Sequence, residues 1–123
     1  MSQPPANQRL GRLGEQLALE HYERLGFMLL TRNHWTRAGE IDLIVHDRDS
    51  LVFVEVKTRR SGGLDPLFGL TVTKRRRMRT LAATWLAEHP DRPRVRSLRI
   101  DAVAVLVNAR DELVALEQIE DVA

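Results

Sequence analysis

The chain has 123 residues, 43% hydrophobic and 29% charged, with a formal net charge of +2 and no cysteine. That length suits one domain built as a sheet with covering helices, and the composition excludes a wholly disordered or fibrous chain. The missing cysteines exclude disulfides and thiolate metal sites, so any metal must be held by carboxylates, histidines or backbone oxygens, which makes hard cations such as magnesium the natural candidates.

A single domain over 1–123 is expected, with residues 1–7 a flexible tail. No stretch approaches the roughly 18 uninterrupted apolar residues of a membrane span, and Met1 to Leu10 lacks the apolar run of a signal peptide. The expectation is a cytoplasmic protein without a membrane contact. Two lysines leave arginine to supply nearly all of the 19 basic residues. Arginine's planar fork suits phosphate, yet a genome rich in arginine codons gives the same bias, and composition leaves both readings open.

In chain order, Asn7 is placed as the N-cap of a first helix carrying Leu10, Leu13, Leu17, Tyr22 and Leu25, closed at Gly26. Gly11, Gly14 and Ala18 give it a small-residue face for close approach to a sheet. Phe27 to Leu30 reads as a first strand, leaving through a polar connection over 31–38. Two alternating strands follow. Residues 40–46 place Ile41, Leu43 and Val45 on one face, and 51–57 place Val52, Val54 and Val56 on one face, with turn-forming residues 47–50 between them. Residues 59–70 carry three glycines and a proline and read as a long loop after Lys57 that responds to substrate. A second helix is expected from near Thr73 to before Pro90, a fourth strand over 98–107, and a terminal strand over 112–119. The fold class is therefore α/β, in the order α-β-β-β-α-β with an extra C-terminal strand, as a mixed sheet flanked by helices.

The chemistry lies in the central hairpin. Whether its turn holds two residues or four, the register sets Asp42 opposite Glu55 and Glu40 opposite Lys57. Opposed carboxylates repel unless a cation lies between them or one keeps its proton. Magnesium, with manganese as a substitute, would resolve the conflict through Asp42, Glu55 and a backbone carbonyl such as that of Val56. A bound water then serves as nucleophile, and Lys57 is placed to orient it or to stabilise charge developing on a phosphate. The plain alternative is a solvated polar face in which Glu40 and Lys57 form an ordinary cross-strand ion pair. Against it stands Leu51-Val52-Phe53-Val54-Glu55-Val56-Lys57, a strand that looks buried on both faces, where charge needs a reason.

Glu15 on the first helix is a further candidate ligand, with solvent exposure as its bland reading. Lys74, Arg75, Arg76, Arg77 and Arg79 open the second helix, unfavourably for its dipole, and suggest phosphate contact or simply a solvated face. Arg59, at the start of the glycine-rich loop, joins Lys74, Arg75, Arg76 and Arg77 as a nucleic-acid-binding candidate. Asp101, two residues after Arg99, reads as a structural ion-pair partner. The four histidines show no metal-ligand spacing.

The segments Gly11-x-x-Gly14-Glu15, Gly39-Glu40-Ile41-Asp42-Leu43-Ile44, Phe53-Val54-Glu55-Val56-Lys57-Thr58-Arg59 and Val72-Thr73-Lys74, in this order, resemble the YraN-like family of small bacterial proteins over about residues 8–107. That family is similar to the restriction-endonuclease-like PD-(D/E)xK superfamily and to archaeal-type Holliday junction resolvases. The resemblance implies that Asp42, Glu55 and Lys57 match the superfamily's catalytic triplet and Glu15 its helix-one glutamate. Here Glu40-Ile41-Asp42 lacks the motif's proline, and Arg99-Ile100-Asp101 stands where the family usually has Arg-Phe-Asp. What the resemblance implies is a magnesium-dependent nuclease acting on branched or damaged DNA as a homodimer. The competing expectations are a non-catalytic nucleic-acid-binding or adaptor domain on the same fold, and a purely structural interaction domain.

Overall fold

The computed structural model describes residues 5–60 and 69–122. In order it contains α1 (Ala6–Arg24), β1 (Met28–Thr36), β2 (Gly39–His46), β3 (Ser50–Arg59), α2 (Val72–Glu88), β4 (Ser97–Val107) and β5 (Leu113–Ile119). The five strands form one sheet in sequence order, antiparallel except where β3 runs parallel to β4. The parallel step is where α2 intervenes, because parallel neighbours cannot be joined by a tight turn. This is the expected α/β class, with its mixed sheet and extra terminal strand.

Each helix covers one face. Ala18, Leu19 and Tyr22 of α1 pack on Leu43, Val45, Val52, Val54, Val103 and Val105. On the opposite face Leu81, Ala82 and Trp85 of α2 pack on Ile41, Ile44, Leu51 and Phe53, and Met78 packs on Ala102 and Ala104. Both faces of β3 are thus apolar over Leu51 to Val54, as its sequence suggests. Each fully buried side chain of this size contributes about 1.5–3 kcal/mol relative to exposure.

Two local expectations change and one is met. α1 begins at Ala6 with Pro5 in the cap position and no side-chain cap, so Asn7 is not the N-cap and residues 6 and 7 belong to the helix rather than to a tail. β1 does not stop at Leu30: after an irregularity between Leu29 and Thr31 it pairs with β2 as far as Thr36, so most of the polar connection is strand. α2 starts at Val72, where Thr71 accepts a hydrogen bond from Lys74 N at 3.1 Å. The glycine-rich segment lies, over 61–68, outside the described residues.

Gly14 seats α1 on β3. A Cβ at Gly14 would lie 1.7 Å from Thr58 Oγ1, whereas one at Gly11 would meet nothing within 4 Å, so only Gly14 serves the close approach assigned to both. Gly14→Ala is expected to destabilise the protein by about 2 kcal/mol or more, because backbone-anchored atoms on both elements must move apart. Urea denaturation checks this, with Gly11→Ala as a control that is neutral or slightly stabilising.

Candidate metal and nucleic-acid site

The site forms where β2 and β3 cease to pair. Their ladder runs from His46↔Leu51 to Leu43↔Val54, in the register expected from the sequence, and ends one step before Asp42 and Glu55. Asp42 Oδ2 instead accepts a hydrogen bond from Val56 N at 2.8 Å. The pleat also slips here. Ile41 and Ile44 both face α2, while Leu43 faces α1, an arrangement that strict alternation forbids. The expected common face of Ile41, Leu43 and Val45 is therefore broken at Ile41, and the break opens the strand end at which Asp42 sits.

Asp42 is drawn toward two other carboxylates. Oxygens of Glu15, Glu40 and Asp42 lie within 4.8 Å of one another. Glu15 is buried at 7% exposure, which rules out the solvent-exposed reading of that residue. Its Oε1 accepts hydrogen bonds from Asn33 Nδ2 at 2.8 Å and Arg12 Nη1 at 3.2 Å. Glu40 Oε1 accepts from Asn33 Nδ2 at 3.0 Å and lies 3.5 Å from Arg12 Nη1. Glu40 is thus engaged by Arg12 and Asn33, on the α1 side, and the cross-strand pair with Lys57 is not formed among the described contacts. Burial pushes the Asp42 carboxyl up to about 7. The Val56 N–H opposes this, and the charges of Glu15, Glu55 and Glu40 reinforce it.

Glu55 and Lys57 face the other way, toward α2. A cleft of about 20 Å³ between Glu40, Asp42, Glu55, Ile41, Phe53 and Met78 holds room for one water or a small cation. Next to it, Glu55, Val56 and Lys57 of β3 and Lys74 and Arg77 of α2 line a larger cavity of about 200 Å³. Lys74 and Arg77, three apart on the helix, share one face, whereas Arg75 and Arg76 lie exposed outside this lining. Arg59, at the end of β3, is also exposed. The expected residues therefore divide around Asp42 into an acidic group with Glu15 and a mixed basic cavity with Glu55, Lys57, Lys74 and Arg77.

Sequence reasoning missed Arg12 and Asn33, and assigned Glu40 to the wrong partner. Arg12 lies within the Gly11-x-x-Gly14-Glu15 segment, one turn before Glu15, and that spacing was the available signal. Asn33 has φ 49°, a left-handed conformation that asparagine tolerates, and nothing in the polar run over 31–38 announces it.

Residues 14–105 match the uncharacterised protein family UPF0102. The chain belongs to that family. It is 46% identical over 102 residues to a UPF0102 protein of Streptomyces griseus, covering 82% of this chain and 85% of that one. A UPF0102 protein of Corynebacterium efficiens is 40% identical over 116 residues, 94% and 92% of the two chains. One from Acidothermus cellulolyticus is 47% identical over 85 residues, 68% of this chain and 64% of its own length. This UPF0102 chain has, among its described residues, no helix long and apolar enough to cross a membrane. The family match spans Glu15, Glu40, Asp42, Glu55, Lys57, Lys74 and Arg77 alike.

Proposed function

We propose that this UPF0102 protein is a metal-dependent nuclease that hydrolyses phosphodiester bonds in DNA, with branched DNA as its substrate. The observation that carries the reading is the position of Asp42: a strained carboxylate between an acidic cluster and a cavity lined by Lys57, Lys74 and Arg77. A hard cation prefers oxygen donors, and Asp42, Glu55, Glu15 and the Val56 carbonyl are the ligands proposed for magnesium or manganese, with Glu40 as an added neighbour. Such an ion would supply an activated water and stabilise charge on the phosphate. The protein's own groups do the rest. Lys57, Lys74 and Arg77 accept the phosphate in the basic cavity, Arg59, Arg75 and Arg76 extend the positive surface for the flanking backbone, and Lys57 donates to the oxygen on which charge develops. Cutting both strands of a branched substrate would call for a homodimer.

The test is calorimetry with magnesium and manganese on wild type, Asp42→Asn and Glu55→Gln, followed by a cleavage screen on branched, flapped and single-stranded DNA. Binding lost in both variants together with metal-dependent cleavage supports the proposal. Protein free of contaminating nuclease that cuts none of these substrates with metal present refutes it. Lys57→Ala is expected to keep metal binding and lower the single-turnover cleavage rate by roughly 10²–10³-fold, as for loss of one donor to a developing charge.

One observation favours a second reading, a non-catalytic nucleic-acid-binding domain. Arg12 and Asn33 already satisfy Glu15 and Glu40, so part of the acidic cluster is stable without an ion. DNA affinity that is unaffected by Asp42→Asn and by chelator, with no cleavage, would select it.

A further inference from the structure

Trp35 is 70% exposed, the most exposed large hydrophobic residue of those described, on the free edge strand β1. An indole in water forgoes the burial that makes tryptophan worth having in a core, and the chain's other tryptophan, Trp85, is 3% exposed and packed edge-on to Phe53. Trp35 is also held in place at its backbone. It pairs directly across the hairpin with Glu40, and directly opposed residues of an antiparallel pair project to the same side. Its side chain therefore projects to the side on which Glu40 meets Glu15 and Asp42. The next residue, Thr36, locks the turn by donating to Gly39 O at 2.9 Å and accepting from Ala38 N at 3.0 Å. The guanidinium of Arg12 lies on the Glu40 side, half-exposed against Glu15 and Glu40, while Arg37, highly exposed at the turn, reaches Glu88 of α2 at 4.0 Å.

A solvent-facing indole with a guanidinium on its side of the sheet is the chemistry that holds a nucleobase by its face and an adjoining phosphate by charge. Paired bases inside a duplex have both faces covered by their neighbours, so this plane can be used only by a base that is unpaired. We infer that Trp35 is a stacking platform for an unpaired nucleotide lying next to the cleavage site, so that the preferred substrate carries single-stranded DNA at the scissile position: a flap, a gap or the opened centre of a branch. The inference rests on the nuclease reading for its location and adds the feature by which substrate is chosen.

The experiment reads binding without turnover. In the Trp85→Phe background, which keeps a ring in the core, Trp35 is the sole tryptophan and its emission is titrated in chelator with oligothymidylate and with a blunt duplex. Quenching by the single strand and not by the duplex is expected. Trp35→Ala should weaken single-strand affinity, followed with a labelled oligonucleotide, by roughly 5- to 150-fold, the effect of losing one stacked base. Duplex affinity should change little, and Trp35→Phe should recover part of the loss. Unchanged single-strand affinity in Trp35→Ala would overturn the inference even if metal-dependent cleavage is intact, in which case the nuclease reading stands alone. So would equal losses for single strand and duplex, or a Trp35→Ala variant whose only change is the loss of self-association in sedimentation. Absence of DNA binding of either kind by wild type would remove the inference together with the nucleic-acid reading beneath it.

Discussion

Asp42→Asn is expected to abolish magnesium binding while making the metal-free protein more stable. The carboxyl of Asp42 titrates at about 7 in the folded protein, mainly through burial, with Glu15, Glu55 and Glu40 adding repulsion. An unfolded chain returns it to about 4. Between these values the folded protein holds a proton that the unfolded chain has released. Stability from this group is therefore fully present below about pH 4 and is lost as pH rises through about 7. Asparagine behaves as the protonated acid at every pH and still offers Val56 N–H an oxygen. Its advantage should be negligible near pH 4 and reach on the order of 2 kcal/mol at pH 8, a figure discounted for the partial solvent access of the group. For a chain of this length that corresponds to a rise in Tm of about 8 °C.

Thermal melts of both proteins between pH 4 and pH 8, with chelator and then with magnesium, check it. Magnesium should raise the Tm of wild type at pH 8 and leave that of the variant unmoved, because a ligand stabilises only the folded state that binds it. The proton and the cation compete for the same oxygens, so metal affinity should weaken below about pH 7. Parallel pH profiles for wild type and variant would show that Asp42 carries no such strain and would remove the physical basis of the site.

The hairpin was legible because its two determinants are local. The alternation of 51–54 fixes the buried faces, and the turn at 47–50 fixes the register; Asp47 N and Ser50 O close that turn at 3.0 Å. Gly26, at φ 96°, closes α1 as its position suggests. What sequence did not disclose depends on tertiary partners. β1 runs on through Arg32 and Asn33 because their side chains are used by α1: Arg32 Nη1 donates to Gln16 Oε1 at 3.0 Å, and Asn33 holds Glu15 and Glu40. A polar run on an edge strand looks like a loop until its partners are known. The slip in pleat at Asp42 is equally non-local, since it appears only when Ile41 must reach α2 and Leu43 must reach α1. The basic block of α2 showed its charge in sequence, while the selection of Lys74 and Arg77 for the cavity follows from where α2 docks.

Asp101→Ala should cost about 3–5 kcal/mol, a large share of the 5–15 kcal/mol that holds a domain of this kind together. Asp101 is fully buried on the α1 face of β4 and gathers donors from three parts of the chain. Tyr22 Oη of α1 donates to Oδ2 at 2.7 Å, and Arg99 donates from Nε to Oδ1 and from Nη2 to Oδ2, both at 2.9 Å. Gln118 Nε2 of β5 and the backbone N–H of Asp121 complete the set, each at 3.1 Å. Burial and the Asp101 charge push the Tyr22 hydroxyl strongly up, so it remains a donor at any working pH. Removing the carboxylate leaves these donors facing one another, and leaves the guanidinium of Arg99, 21% exposed, with Glu120 at 3.9 Å and the face of Phe27 as its partners among the described residues. Tyr22→Phe deletes one donor and keeps the ion pair, so its cost should be smaller, about 1.5–3 kcal/mol. Denaturation by urea ranks the two, and the expected fall in Tm for Asp101→Ala is roughly 10–20 °C. Magnesium binding by whatever fraction remains folded should match wild type, since no donor of this network reaches Asp42. A cost below about 1 kcal/mol would mean that the donors find water instead, and the carboxylate would then not be what ties α1, β4 and β5 together.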